Sequence, residues 1–258
     1  MSALSWQGQT SPDRLLLQAL RGDETVLSLA LFPLEAGLFQ AGRATGAEAL
    51  DAGQRRDLAE QLRALLAGNQ LLVDEHLNGP LAACLQQQGF TAARSRLLYW
   101  RELTAGLPPV PPDLQPRSLA EVGEERFIAW LGEAASGDSD VDPDPAAEFR
   151  SHLDMAGAAF DPALWQSVWQ AQALLGLVLP QPYPDVPGSG TLLYLGLLPA
   201  WRGRGLGRGL HALGLKLLAA AGCSRYLGST DSGNLPMQRI FAANGCQLLG
   251  RRLFLRGA

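Results

Sequence analysis

LLYLGLLPAWRGRGLGRGLHALGLKLLAAA, residues 192–221, changes character twice, and each change has a structural meaning. The apolar run 192–198 reads as a buried strand. Pro199 ends it, because proline has no N–H to give a sheet ladder. A loop with Arg202, Gly203, Arg204, Gly205 and Gly207 follows, and Leu206, Leu210, Leu213, Leu217 and Leu218 then recur at helical spacing. A helix therefore begins inside the glycine cluster. The glycines let the backbone turn without a Cβ in the way and let a ligand approach closely. The first N–H groups of the helix lack an intrahelical partner and its dipole is positive there. Together they make an anion site suited to a phosphate or pyrophosphate. Arg202, Arg204 and Arg208 add positive charge.

Two other readings compete. A loop built only for packing would leave the arginines idle. A dinucleotide fold is raised by Gly207, Gly209 and Ala212, which fit G-x-G-x-x-A. That fingerprint needs its first glycine at the strand end, and here residues 199–206 intervene.

Arg202-x-x-Gly205-x-Gly207 resembles the [Q/R]-x-x-G-x-[G/A] signature of the GNAT superfamily of acyl-CoA-dependent N-acetyltransferases. The resemblance is close over residues 191–251, including the strand, Pro199, the helix and a downstream Asn234…Gly245 element. It is looser over 114–190. It implies an α/β fold of mixed, mostly antiparallel sheet flanked by helices, with a splayed central strand pair, and acetyl-CoA as cosubstrate. It further implies that the Leu195, Gly196 and Leu197 backbone pairs with the pantetheine arm. Arg202, Gly203, Arg204, Gly205, Leu206, Gly207 and Arg208 would hold the pyrophosphate. An N–H near Leu197 would stabilise the oxyanion as an amine attacks the thioester directly. Asn234 matches the asparagine that contacts the cofactor or a water beside it, and Asn-x-Pro before an apolar run is also good helix-capping chemistry.

Composition bounds the rest. The 258 residues fit one large or two small domains, and 47% hydrophobic with 18% charged residues allow a sizeable core. A net charge of −4 gives no footprint of a nucleic-acid binder. No apolar run is long enough to span a bilayer, and the first residues, MSALSWQGQTSPDR, lack the basic start and apolar centre of a signal peptide. The expectation is a cytoplasmic protein without nucleic-acid or membrane partners, its oligomeric state open. Cys84, Cys223 and Cys246 are scattered, as reduced buried thiols are, and the three histidines have no metal-ligand spacing.

Taken in order, residues 13–20 read as a short helix with Ser11 as N-cap. Strands are expected at 25–31 and 37–44, an amphipathic helix at 54–66, a strand at 71–73, a helix at 80–88 and a strand at 94–101. The proline-rich stretch 103–116 reads as a linker, so residues 1–105 and 117–258 are expected as two domains joined by 106–116. Helices around residues 122–131 and 146–156 flank an acidic exposed loop, 136–145, and strands follow at 164–170 and 174–179.

The halves echo one another. Asn78-x-Pro80 with Gly89 has the spacing of Asn234-x-Pro236 with Gly245, and Glu75 and Asp231 both sit three residues before the asparagine. In the first half the loop is ATGAEALDAG, residues 44–53. It lacks the glycine–arginine pattern and carries Glu48 and Asp51, which repel a pyrophosphate. The first half therefore reads as a degenerate, front-truncated copy that has lost acyl-CoA binding.

Proton-transfer groups are the open part of the site. Family members commonly carry a tyrosine seven residues after the asparagine, where this chain has Phe241. Some have a glutamate five residues before it, where this chain has Ser229. The strand, residues 188–199, contains no acid. Asp231 and Tyr194 remain as catalytic candidates, against a turn-forming role for Asp231 and a core role for Tyr194. Glu148, His152 and Asp154 lie on the helix that covers the acceptor site in the family and are candidate amine contacts. His211 reads as structural or exposed. Trp130, Trp165, Trp169 and Phe160 read as core or as an aromatic acceptor pocket. Two functions stand: an acetyltransferase acting on a primary amine of a small molecule or peptide, and a non-catalytic acyl-CoA-binding module.

Overall fold

The computed structural model describes residues 4–35, 37–104, 106–138 and 141–257. The chain divides into two compact units, Met1–Leu98 with Ser229–Gly233 and Leu249–Ala258, and Tyr99–Gly228 with Asn234–Leu248.

The first unit runs β1 (Ser5–Ser11), β2 (Arg14–Arg21), β3 (Glu24–Glu35), β4 (Leu38–Ala41), α1 (Ala52–Leu66), β5 (Gln70–Asp74) and α2 (Glu75–Gln87). β6 (Thr91–Glu102) begins in it. The helix expected at 13–20 is replaced by β2, which pairs antiparallel with β1 and with β3. Tertiary pairing overrides the local pattern here. Leu17 and Ala19 alternate into a core with Leu27, Leu29 and Leu31, which a helix could not reach together. Ser11 caps no helix; it ends β1, and its hydroxyl donates across the turn to Asp13 Oδ1 and the Arg14 carbonyl. α1 opens with a reciprocal cap between Asp51 and Gln54 and lays Leu58, Leu62 and Leu66 on the same core.

The second unit continues with β7 (Leu114–Ser118), α3 (Leu119–Val122), α4 (Glu124–Ala135), α5 (Pro145–Ala156), β8 (Gln166–Gln170), β9 (Ala173–Pro182), β10 (Ser189–Leu197), α6 (Gly207–Ala220), β11 (Arg225–Asp231) and α7 (Leu235–Ala243). The strand order is β11-β10-β9-β8-β7, with β7 to β10 antiparallel and β10–β11 parallel. The sheet is sandwiched by alternation along β9. Leu177 and Leu179 face Phe127, Leu131, Phe149 and Trp165 of the α4–α5 side. Val178 faces Leu210 and Leu213 of α6. Gly214 lets α6 come close, since a Cβ there would lie 2.7 Å from Leu192 Cδ1. Part of the expected linker is packed rather than free: Val110 joins the α6 cluster and β7 already begins at Leu114. The last strand, β12 (Gln247–Arg256), returns to the first unit, where it pairs antiparallel with β5.

Candidate functional site

The site lies within the second unit, where β10, the glycine loop and α6 meet. The loop passes through a single 3-10 turn, Pro199–Trp201, before the helix. Gly203 and Gly205 have φ of +74° and +79°, and a Cβ at either would meet no atom within 4 Å. These two are the turn glycines, facing open space. Gly207 and Gly209 serve packing instead. A Cβ on Gly207 would lie 2.7 Å from Ile240 Cδ1, and one on Gly209 2.8 Å from Pro111 Cγ. α6 starts with no side-chain cap and no acid in its first turn, so nothing from its own N-terminal side chains competes for its first N–H groups. Leu206 is its N-cap residue. Arg208 is exposed in that first turn, and the Arg204 guanidinium lies 4.9 Å from the Trp201 ring centre.

β10 is bent and then opens. Between Leu192 and Leu195 its register against β9 slips by one residue, a bulge. Toward β11 it is in register at Ser189–Arg225 and Gly190–Tyr226, and no further pair forms among the described residues. The pair thus splays from Thr191 onward. The Leu198 N–H donates to Leu175 on the β9 side. By strand alternation the N–H groups of Leu195 and Leu197 face the opened side. Gly196 carries the Tyr194 ring over it: a Cβ at Gly196 would be 2.3 Å from the Tyr194 hydroxyl.

Arg202 has a specific job. Its Nε donates to the Leu197 carbonyl at 3.1 Å, Nη1 to Ser136 at 2.9 Å and Nη2 to Ala134 at 2.8 Å. The guanidinium ties the loop to the strand end and to the end of α4, whereas Arg204 and Arg208 are exposed beside the helix start.

On the α4–α5 side, Tyr194 is 8% exposed. Burial pushes its hydroxyl well above the usual tyrosine range, helped by the Asp138 charge and opposed by Arg202, so it stays protonated. The His152 ring lies 6.0 Å from it and 6.3 Å from Trp165. Burial lowers the His152 pKa to about 4, so the imidazole is neutral near pH 7. Glu148 Oε1 approaches His152 Nε2 at 3.0 Å, and its Oε2 accepts from the Asp142 N–H at 3.0 Å. Asp154, exposed on the same helix, is apart from these contacts. The four expected aromatics separate into two groups. Trp165 packs with Phe160 and Phe149 in the core, whereas Trp130 and Trp169 stack edge to face at 5.5 Å, with Arg117 over Trp169.

The remaining candidates are engaged. Asp231 belongs to the first unit, where its Oδ1 accepts from the Gly233 N–H at 2.7 Å and its Oδ2 lies 3.8 Å from Arg94 Nε. Asn234 caps α7, accepting from the Met237 N–H at 3.1 Å. Phe241 stacks on Tyr99 at 4.4 Å. His211 is fully buried between Tyr226 and Phe241, which lowers its pKa to about 3. A residue the pattern did not single out organises this corner. Asn244 Nδ2 lies 2.9 Å from His211 Nδ1 and donates to the Arg208 carbonyl at 3.0 Å, while the Asn244 carbonyl accepts from Arg101 at 2.6 Å. Asn-Gly at 244–245 signals a helix end, but only the folded chain brings that side chain to the first turn of α6.

The corresponding loop in the first unit is bonded to its neighbours, beside a cavity of about 280 Å3 that carries Glu48 as well as Arg43. Gly42 and Thr45 bond to β3 backbone. Asn78, where α2 kinks, accepts from the Ala44 N–H and donates to the Gly42 carbonyl. The same asparagine that caps a helix in one copy is buried across the loop in the other.

Among the described residues no helix is long and apolar enough to cross a membrane, and no group of three or more His, Cys, Asp or Glu could hold a metal ion. Residues 125–245 match the Acetyltransferase (GNAT) family. A mycothiol acetyltransferase of Nocardioides sp. (strain ATCC BAA-499 / JS614) is 28% identical over 207 residues, which is 73% of this chain and 69% of that protein. The fold is shared with a GCN5-related N-acetyltransferase from Sphaerobacter thermophilus (TM-score 0.65, 18% identity, 95% of this chain and 80% of that one). It is shared too with a tandem GNAT protein from the clavulanic acid biosynthesis pathway (TM-score 0.52, 16% identity, 96% of this chain and 83% of that one).

Proposed function

We propose that the second unit, whose residues 125–245 match the Acetyltransferase (GNAT) family, transfers an acetyl group from acetyl-CoA to a primary amine of a small molecule or peptide. The observation that carries this reading is the opening of β10 beside an uncapped, acid-free helix start. The fit is chemical: open turn glycines, free first-turn amides and two exposed arginines suit a diphosphate. Gly203, Arg204, Gly205, Leu206, Gly207 and Arg208 would hold the pyrophosphate, with Arg202 fixing the shape of that loop. Leu195, Gly196 and Leu197 would offer backbone to the pantetheine arm, and Asn234 would border the cofactor while capping α7. The bound thioester supplies the activated acyl group. The Leu197 N–H faces the opened side and is the donor for the developing oxyanion. Tyr194, held protonated by burial, is the hydrogen-bond donor available to the leaving sulfur. Asp231 is assigned to its turn and to Arg94.

The first unit, read in sequence as residues 1–105, is a non-catalytic copy: Asn78 and the bonded 42–45 loop occupy the equivalent of the cofactor loop. The three free buried cysteines accord with a cytoplasmic setting. Calorimetry with coenzyme A and thiol release from acetyl-CoA across a panel of amines test the reading. Heat with thiol release supports an enzyme. Heat without release for every amine supports an acyl-CoA-binding module, and no heat overturns both.

A further inference from the structure

The start of α6 has no side-chain cap of its own, and the end of α7 holds it instead. Ile240 and Asn244 lie one turn apart there, the Asn244 N–H donating to the Ile240 carbonyl at 3.0 Å. They meet consecutive residues of α6. Ile240 packs where Gly207 leaves out a Cβ, and Asn244 Nδ2 donates to the Arg208 carbonyl at 3.0 Å. That carbonyl shares one planar peptide unit with the Gly209 N–H. Among the described residues, the first α6 amide to bond back is that of Leu210, to the Leu206 carbonyl at 3.1 Å. Gly209 therefore carries the innermost of the unpaired first-turn amides.

The Asn244 side chain is itself fixed. It is 2% exposed, Nδ2 also lies 2.9 Å from His211 Nδ1, and the Asn244 backbone carbonyl accepts from Arg101 at 2.6 Å. Burial keeps the His211 ring neutral, so Nδ1 can accept the second amide proton. Turned over, the amide would set its oxygen against the Arg208 carbonyl oxygen, so one orientation serves both partners. This arrangement costs stability, because Asn244 Oδ1 is buried with no hydrogen-bond partner among the described residues. An apolar side chain would leave no orphaned acceptor. Packing alone does not explain an amide here; its grip on the Arg208–Gly209 peptide does.

We propose that Asn244 is a positioning residue for the diphosphate: by holding the Arg208 carbonyl it aims the Gly209 N–H at the anion. The inference rests on the acyl-CoA reading and adds to it a residue that touches no part of the cofactor. Donation to the carbonyl also polarises the peptide, which strengthens its N–H as a donor. The site then depends on the end of α7 as well as on the glycine loop.

Calorimetry with coenzyme A on the full chain tests this, with inorganic pyrophosphate as a competitor. Asn244→Ala should weaken coenzyme A about tenfold, roughly the effect of one hydrogen bond, while the number of sites per chain stays unchanged. Pyrophosphate should lose by the same factor. A side chain that only supports the fold would lower the number of sites and leave the affinity of each alone. That result, an unchanged affinity, or a loss with coenzyme A but not with pyrophosphate overturns the proposal. Asn244→Ser keeps a hydroxyl donor on a shorter stem and should fall between the two chains. It is read by the same criteria where circular dichroism shows Asn244→Ala unfolded. If the wild type gives no heat with coenzyme A, the acyl-CoA reading falls and direct titration with pyrophosphate decides. Pyrophosphate binding that Asn244→Ala loses keeps the positioned amide as an anion site; binding that is unchanged or absent removes it.

Discussion

Arg202 Nη2 donates to the Ala134 carbonyl at 2.8 Å, so the motif arginine is bonded to the last turn of α4. Its other donors reach Ser136 and Leu197. The glycine loop, the end of the central strand and the C-terminal end of α4 are therefore fastened by one planar group. An Arg202→Lys chain keeps the charge but not the three-way fork, and it should bind coenzyme A about tenfold more weakly and raise the acceptor KM by a similar factor. Calorimetry and initial rates measure both. A change in coenzyme A affinity alone would mean that the arginine serves the diphosphate and not the placement of α4.

Gly205→Glu should abolish detectable coenzyme A binding while the chain stays folded. A side chain there meets no atom, but it must adopt a φ of +79° and it places a carboxylate at the helix start. The strain costs about 1–2 kcal/mol, which a domain of this size tolerates. Circular dichroism checks the fold and calorimetry the binding. Normal affinity would move the diphosphate site elsewhere.

Gly207 and Gly209 should respond differently to alanine. At Gly207 the new Cβ meets the flexible end of Ile240, at Gly209 the Pro111 ring. Gly207→Ala should be near neutral, because helix propensity gains about 1 kcal/mol against a small clash. Gly209→Ala should lose about 1–3 kcal/mol, since a proline ring cannot swing away. Urea midpoints at constant m-value separate the two.

Stability should fall as pH drops from about 6.5 toward 4. Burial lowers His152 to about 4 and His211 to about 3. Between those values and 6.5 the unfolded chain binds protons that the folded chain refuses. Unfolding then takes up as many as two protons, about 1.4 kcal/mol per pH unit for each histidine. Their contribution is fully present above 6.5. Urea midpoints at pH 5.0, 6.0 and 7.5 test this, and His211→Gln should flatten the slope by about half. A flat profile in the wild type would place both rings in contact with water.

Tyr194→Phe should reduce kcat about 100-fold with little change in coenzyme A affinity, because it removes a donor that acts on the leaving group. Asp231→Asn should leave kcat within about twofold, as its oxygens serve the Gly233 turn and Arg94. The reverse ranking would exchange their roles.

The amino-acid order alone determined the strand–loop–helix of residues 192–221. Local chemistry is sufficient there: proline ends a ladder, glycine permits positive φ, and leucine at helical spacing makes a face. It also determined the repeat of Asn78 and Asn234, since spacing survives in the chain whatever the fold does with it. It misread residues 13–20, where a leucine run is compatible with either period and only pairing with β1 and β3 selects the strand. Tertiary structure alone decided what the polar groups touch. Arg202 donates to carbonyls 66 and 68 positions away, and Asn244 reaches the first turn of α6. Hydrogen bonds depend on where atoms stand to within a few tenths of an ångström. That placement is set by the packing of helices on a sheet, which no local spacing encodes.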